Sequence, residues 1–182
     1  EAFAGASFID KSVSDGDIST NVSEDYIMRK IREDYLGDST VTVVLIGTET
    51  ASRPFVNSEI QASLWGENPA GLIGVIRDEI YSSVFSSGVC SDTSCNCGIG
   101  IRTIDWGYEH YLPWLIKKNH SFSKLVPHYD DMDVYCSLVK YSDFIGNSEC
   151  YINQAFDKRN IMEPAAKKNP ADVPAIRTNL LW

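Results

Sequence analysis

The sequence has no long apolar run, and this absence narrows the classes of protein to which it can belong. None of its hydrophobic stretches approaches the roughly 20 residues that a membrane-spanning helix needs. The first ten residues also lack the charged start and apolar centre of a secretory signal peptide. These absences predict a cytoplasmic protein with no membrane partner.

Positive charge is also scarce. Lysine and arginine total 16 against 25 aspartate and glutamate residues, so the formal net charge is −9. A surface that binds nucleic acid needs basic patches, because the phosphate backbone is anionic. We therefore predict no nucleic-acid partner. A small anionic ligand is still compatible with this charge, since one arginine and a helix N-terminus are enough to bind it.

The cysteines do not form an obvious set of metal ligands. They are five, an odd number: Cys90, Cys95, Cys97, Cys136 and Cys150. The first three are close together, but their spacing matches no common zinc motif and no obvious fourth ligand follows, with His110 and His120 as alternatives. Reduced loop thiols are the expectation for a cytoplasmic protein, and a local disulfide is the alternative where geometry permits one. We predict no metal site.

A predicted strand and helix organise the centre of the sequence. Residues 41–46 form a short apolar run rich in β-branched residues, which is typical of a strand buried on both faces of a parallel sheet. Gly47 allows a tight turn after it, and open α/β sheets bind ligands in the crevice at such strand ends. A helix follows, with Ser52 as its predicted N-cap and Pro54 in its first turn.

Glu59 on this helix is the candidate catalytic residue. Spacings of three and four residues place Phe55, Glu59 and Ser63 on one face. Val56 and Ile60 share a neighbouring face, which we predict to be the packing face. A carboxylate in a cleft beside an aromatic ring can have its pKa raised or its charge used on a substrate. The alternative is a solvated helix acid.

Three further polar residues are candidates for substrate contacts. Arg53, at the start of the helix, can bind a pyrophosphate, and the alternative is a surface ion pair with a nearby acid. Asp10 and Ser12 follow a short predicted strand at residues 6–9 and are candidates for contacts with ribose hydroxyls. Ordinary turn residues are the alternative for both.

The central stretch resembles a motif of a known family. Its residues match the signature of the TIR-like family that includes the TIR proteins of Thoeris anti-phage systems. The matching residues are Ile46, Gly47, Thr50, Arg53, Phe55, Val56, Glu59 and Ile60. The similarity covers residues 8–76 and, more loosely, residues 135–159.

The resemblance implies a flavodoxin-like, three-layer α/β fold with a mainly parallel central sheet, in a bacterial protein with one TIR-like domain over residues 1–182. It also implies cleavage of the nicotinamide–ribose bond of NAD by a hydrolase or ADP-ribose cyclase that makes a nucleotide signal. NAD is then the substrate, and no cofactor is needed. Glu59 would be catalytic, Gly47 and Thr50 would let the loop approach the ligand, and Phe55 would wall the pocket.

The resemblance leaves a second function open. TIR-like folds also serve as non-catalytic interaction modules that signal by homotypic assembly, and fold alone does not choose between the two. Either function implies a homo-oligomer as the working form.

The remaining sequence predicts how the domain is arranged. A helix is predicted over residues 21–36, with a capping box formed by Asn21 and Glu24. Strands are predicted over residues 72–76, 98–104 and 134–139, and a final helix over residues 151–159. Residues 77–133 are predicted to be an insertion, and residues 160–182 a proline-containing tail. The family normally opens with a strand before the one at residues 6–9, so we expect that N-terminal strand to be missing from this chain.

Overall fold

The computed structural model describes most of the 182 residues. The described residues are 16–19, 21–37, 39–90, 95, 97–121, 128 and 130–176. The predicted strand at 6–9, the candidates Asp10 and Ser12, and the last residues of the tail lie outside them. Within the described ranges, no helix combines the length and apolar character that crossing a bilayer requires.

The described ranges contain both strands and helices. The strands are β1 (Val41–Ile46), β2 (Gly71–Ile76), β3 (Phe85–Val89), β4 (Gly100–Ile104) and β5 (Cys136–Lys140). The helices are α1 (Glu24–Ile31), α2 (Pro54–Ser63), α3 (Asp78–Val84), α4 (Trp106–Tyr111), α5 (Trp114–His120) and α6 (Tyr141–Ile161). A π-helical turn (Arg32–Leu36) extends α1, and a 3-10 turn (Thr50–Ser52) precedes α2.

A parallel sheet in the order β1-β2-β5 lies at the centre. All six residues of β2 are buried. The prediction that residues 41–46 are buried on both faces was wrong, because β1 is an edge strand among the described strands and Leu45 is 55% exposed. The fully buried strand is β2, which has a neighbour on each side.

Helices cover both faces of this sheet. Side chains of β2 alternate, so that Leu72 and Ile76 join a core that includes residues of α2 and α5. Ile73 and Val75 face the other way and pack against α6. The predicted three-layer α/β fold with a parallel central sheet is therefore confirmed, since each face of β2 is sealed by helices.

The region predicted to be an insertion, residues 77–133, has its own secondary structure. It contains α3, the antiparallel hairpin of β3 and β4, α4 and α5. The predicted strand at 98–104 exists as β4, but among the described strands it pairs only with β3 and is separate from the central sheet. Leu112, Leu115 and Ile116 are buried in the main core, so part of this region belongs to the body of the domain.

The predicted helix starts were close but shifted. Ser23, not Asn21, caps α1, because its hydroxyl accepts a hydrogen bond from the Tyr26 N–H at 3.3 Å. The residue at the N-cap of α2 is Arg53, while the Ser52 hydroxyl donates to the Glu49 carbonyl at 2.8 Å. Both predictions chose a residue that suits a cap but lies one or two positions too early.

The last helix is longer than predicted. It begins at Tyr141, directly after β5, and not at Tyr151. Asn147 departs from helical geometry with φ −142° and ψ 31°, so α6 consists of two helical pieces joined at this residue. Residues 140–144 are the end of β5 and the first turn of α6.

Candidate functional site

The ends of β1 and β2 lie side by side at the carboxyl edge of the sheet. Ile46 is opposite Ile76 in the register, and the N–H of Arg77 donates to the Ile46 carbonyl at 3.1 Å. The loop from Gly47 to Thr50 follows β1 at this edge. This is the place where open α/β sheets bind ligands.

Thr50 shapes this loop through its hydroxyl. The Thr50 Oγ1 accepts a hydrogen bond from the Gly47 N–H at 2.9 Å and donates to the Leu45 carbonyl at 3.4 Å. The side chain is buried. Thr50 therefore holds the turn after β1 in place. This positioning role is additional to the substrate contact predicted for it.

Gly47 and Arg77 are neighbours at this edge. A Cβ added to Gly47 would lie 3.6 Å from the Arg77 Cδ and 3.9 Å from the Thr50 Oγ1, which are ordinary contact distances. The guanidinium of Arg77 is exposed and forms an ion pair with Glu79 at 3.0 Å. Arg77 is not among the candidates from the sequence, although an arginine directly after a buried strand is a signal for this position.

Arg53 and Glu49 form a second exposed ion pair, in the loop and at the start of α2. Their Nη2 and Oε2 atoms are 3.1 Å apart, and both side chains are mostly exposed. Such pairs contribute little to stability. The structure therefore shows the surface pairing that was the alternative for Arg53, in a position where the guanidinium is free to exchange its partner for an anionic ligand.

Glu59 lies half-buried on α2, a helix whose other residues enter two hydrophobic clusters. Val56 and Ile60 pack into the main core, which confirms the predicted packing face of this helix. Phe55 contacts a second cluster that joins α2 to α1. The carboxylate is thus carried by a helix that is held on two sides, and its backbone position is well defined.

The tail packs along a third side of α2. The Asn57 amide donates to the Pro174 carbonyl at 2.8 Å, and the Ile176 N–H donates to the Ser58 Oγ at 2.7 Å. The Asn169 N–H donates to the Gln61 Oε1 at 2.9 Å. Asn57, Ser58 and Asn169 are all buried. The predicted tail therefore docks on the helix that carries Glu59.

A separate groove lies beside the hairpin. It is lined by residues of β3 and β4 and by His120, His128, Asp130 and Asp133. None of the described substrate-binding candidates lines it. The candidate site stays at the sheet edge, because β1 and β2 end there and the loop from Gly47 leads into α2, whereas the groove lies along the exposed hairpin.

These features define an α/β protein of flavodoxin-like architecture with a candidate site at the carboxyl edge of its sheet. Residues 3–80 match the family model described as Thoeris protein ThsB, TIR-like domain. This part of the chain, which holds β1, α2 and β2, is similar to the TIR-like domain of that family, and the resemblance is confirmed. No curated protein and no solved structure matches the chain.

Proposed function

We propose that this protein cleaves the nicotinamide–ribose bond of NAD, as a hydrolase or ADP-ribose cyclase whose product is a signal in anti-phage defence. The observation that carries the proposal is the half-buried Glu59 on α2, within the residues that match the TIR-like family. Gly47 and Arg77, which carries positive charge, lie together where β1 and β2 end, and the loop from Gly47 leads into that helix.

The chemistry demands little of the protein. Breaking the nicotinamide–ribose bond passes through a state with positive charge on the ribose, which a nearby carboxylate stabilises. Nicotinamide leaves as a neutral molecule from a cationic ring, so no strong general acid is needed. Glu59 supplies the carboxylate and orients the ribose hydroxyls.

The other candidates have roles in binding. Arg53 and Arg77 bind the pyrophosphate by charge-assisted hydrogen bonds, once their exposed pairing with Glu49 and Glu79 is exchanged for the ligand. Phe55 walls the pocket. Asp10 and Ser12 contact the ribose hydroxyls, in a part of the chain outside the described residues.

The test is the substitution Glu59→Gln, which removes the charge and keeps the shape. NAD consumption and its products are followed by chromatography and mass spectrometry, over a wide range of chain concentrations so that activity dependent on assembly is detected. We expect a loss of about a hundredfold or more in turnover, while the variant stays folded. Glu67→Gln, on an exposed residue of a turn, is the matched control.

Equal NAD consumption by Glu59→Gln and the parent protein would remove Glu59 from the mechanism. No NAD consumption by the parent protein at any concentration would favour the second function, a non-catalytic module that signals by homotypic assembly. Four exposed hydrophobic side chains in and beside the hairpin support that function: Val89, Ile99, Ile104 and Trp106. Sedimentation of the parent protein and of Trp106→Ser then tests assembly directly.

A further inference from the structure

Four side chains from two distant parts of the sequence converge at the tip of the hairpin. The sulfur atoms of Cys90, Cys95 and Cys97 and a ring nitrogen of His128 all lie within 4.8 Å of one another. The Nε2 of His128 is 3.4 Å from the Cys95 sulfur and 3.3 Å from the Cys97 sulfur. From the sequence, His110 and His120 are the candidates for a fourth ligand, whereas the structure brings His128 to this position.

Those two histidines are engaged elsewhere. The Nδ1 of His110 is 2.7 Å from the Trp106 carbonyl. The Nδ1 of His120 is 2.9 Å from the Cys136 carbonyl. His128 is therefore the histidine that completes the set.

Hydrogen bonding does not account for this arrangement. A neutral imidazole nitrogen has either one lone pair or one N–H, so it makes one good hydrogen bond in the plane of the ring. Here two sulfur atoms are at nearly the same distance from the same Nε2, and a third sulfur lies close by. A cation shared by all four atoms satisfies each of them at once.

The distances fit a tetrahedral zinc ion. Zinc binds thiolate sulfur at about 2.3 Å and imidazole nitrogen at about 2.0 Å, so a tetrahedral site puts sulfur and nitrogen about 3.5 Å apart and two sulfurs about 3.8 Å apart. The observed sulfur–nitrogen distances of 3.3 and 3.4 Å are close to that value. Three cysteines and one histidine are also a common ligand set of structural zinc sites.

The backbone at the tip brings the cysteines together. The Cys90 N–H donates to the Ile99 carbonyl at 2.9 Å, which closes the hairpin directly behind the cysteines. Gly98 has φ +62°, a conformation that favours glycine and turns the chain after the last cysteine.

We propose that Cys90, Cys95, Cys97 and His128 bind one structural zinc ion. On binding, the three thiols release their protons to solvent and coordinate as thiolates, while His128 coordinates through Nε2 and keeps its proton on Nδ1. Four protein ligands fill the tetrahedron and leave no position for water, which is the pattern of a structural and not a catalytic site.

The zinc ion has a clear mechanical role in this fold. The hairpin pairs with no other described strand, and most of its residues are exposed or half-buried. Two-stranded hairpins have marginal stability by themselves. Its base is held by Phe85, which is buried, and by Arg102, whose guanidinium stacks over Phe85 and donates to the Leu138 carbonyl at 2.7 Å. Zinc holds the tip, by linking it to His128 ahead of β5.

The test is the metal content of the full chain, purified with reductant and without chelator from cells grown with added zinc. Mass spectrometry of the metal is expected to find one zinc ion per chain in the parent protein. Cys97→Ser and His128→Ala are expected to reduce that content at least about tenfold. Cys150→Ser and His110→Ala, on exposed residues outside the cluster, are matched controls that keep the full content.

A second measurement is independent of whether the variants fold. Zinc is removed from the parent protein with a chelator under reducing conditions, and cobalt is added. The absorption bands of tetrahedral cobalt bound to thiolates are expected, and added zinc abolishes them. Parent protein that is folded and reduced but binds neither metal would overturn the proposal. So would zinc content unchanged in both ligand variants, stoichiometric iron in place of zinc, or a disulfide among the three cysteines.

Discussion

The ammonium of Lys158 on α6 donates a 2.7 Å hydrogen bond to the hydroxyl of Ser137 on β5, beneath the surface of the protein. Lys158 is only 1% exposed, and its two other N–H groups reach the carbonyls of Asp131 and Val134 at 2.8 and 2.9 Å. All three donors of the ammonium are therefore satisfied. Burial lowers the pKa of Lys158, and the three acceptors offset that cost.

Lys158→Met is expected to lower the free energy of unfolding by about 2 kcal/mol, because it leaves three acceptors, two of them buried, without this donor. Chemical denaturation measures the change. Lys118→Met, on an exposed lysine, is the control and is expected to change stability by less than about 0.5 kcal/mol. An effect of Lys158→Met no larger than that of the control would mean that water or other donors replace the ammonium.

His120 is expected to make stability depend on pH. Burial lowers its pKa, and the charges of Arg102 and Lys158 lower it further, while the Cys136 carbonyl and Asp131 raise it. The folded protein therefore holds His120 neutral at pH values where the unfolded chain binds a proton. The contribution of His120 to stability is full above the ordinary histidine pKa of about 6.5, and it is lost as the pH falls from there toward the folded-state pKa.

Denaturation of the parent protein and of His120→Gln at a series of pH values from neutral to mildly acidic tests this sign. The stability of the parent protein relative to His120→Gln is expected to decrease as the pH falls. The difference between the two proteins removes the effects of other titrating groups. A constant difference would show that His120 titrates alike in the folded and unfolded chains. His110→Gln, on an exposed histidine, is expected to track the parent protein.

Gly71, at the start of β2, allows α6 to approach the sheet. A Cβ at this position would overlap the backbone carbonyl of Ala155, which cannot move without shifting the helix. Gly71→Ala is expected to lower the free energy of unfolding by about 1–3 kcal/mol. Gly146→Ala, where an added Cβ meets no atom within 4 Å, is expected to be neutral or slightly stabilising. Comparable denaturation midpoints for the two variants would contradict the close approach.

Local sequence patterns predicted the centre of the fold. The features that they did not predict depend on contacts between residues that are distant in the sequence. The apolar run at residues 41–46 predicts a strand, and the spacing of Val56 and Ile60 predicts a helix and its packing face. Both patterns depend only on residues that are neighbours in the sequence. Strand β3 contains two serines and a glycine and is mostly exposed, so it lacks the apolar alternation that marks a strand. The sequence therefore predicted β4 of the hairpin but not β3.

The candidate site with Glu59 and the proposed zinc site differ in the same way: the first depends on residues close in sequence and the second on distant ones. Glu59 was found through a motif whose residues lie within one loop and one helix. His128 is 31 residues from Cys97, and only the packing of the hairpin against the segment ahead of β5 brings them together. Likewise, the burial of Lys158 depends on carbonyls more than 20 residues away. No spacing rule applied to the sequence contains that information.

The tail offers a test of how α2 is held. Ser58 is fully buried, and its hydroxyl accepts the hydrogen bond from the Ile176 N–H at 2.7 Å, while the Ile176 side chain packs into the cluster between α1 and α2. Ser58→Ala leaves that N–H buried without an acceptor, which costs about 1–3 kcal/mol and favours release of the tail.

Hydrogen exchange measured by mass spectrometry is expected to show faster exchange in peptides covering residues 170–176 of Ser58→Ala, with little change in the central sheet. Ser82→Ala, on an exposed serine of α3, is the control with unchanged exchange. We also expect faster exchange throughout α2, because Asn57 and Gln61 form hydrogen bonds with the tail as well. That result would mean that the tail stabilises the helix carrying Glu59. Exchange in 170–176 equal to that of the parent protein would show that the Ser58 hydrogen bond does not hold the tail.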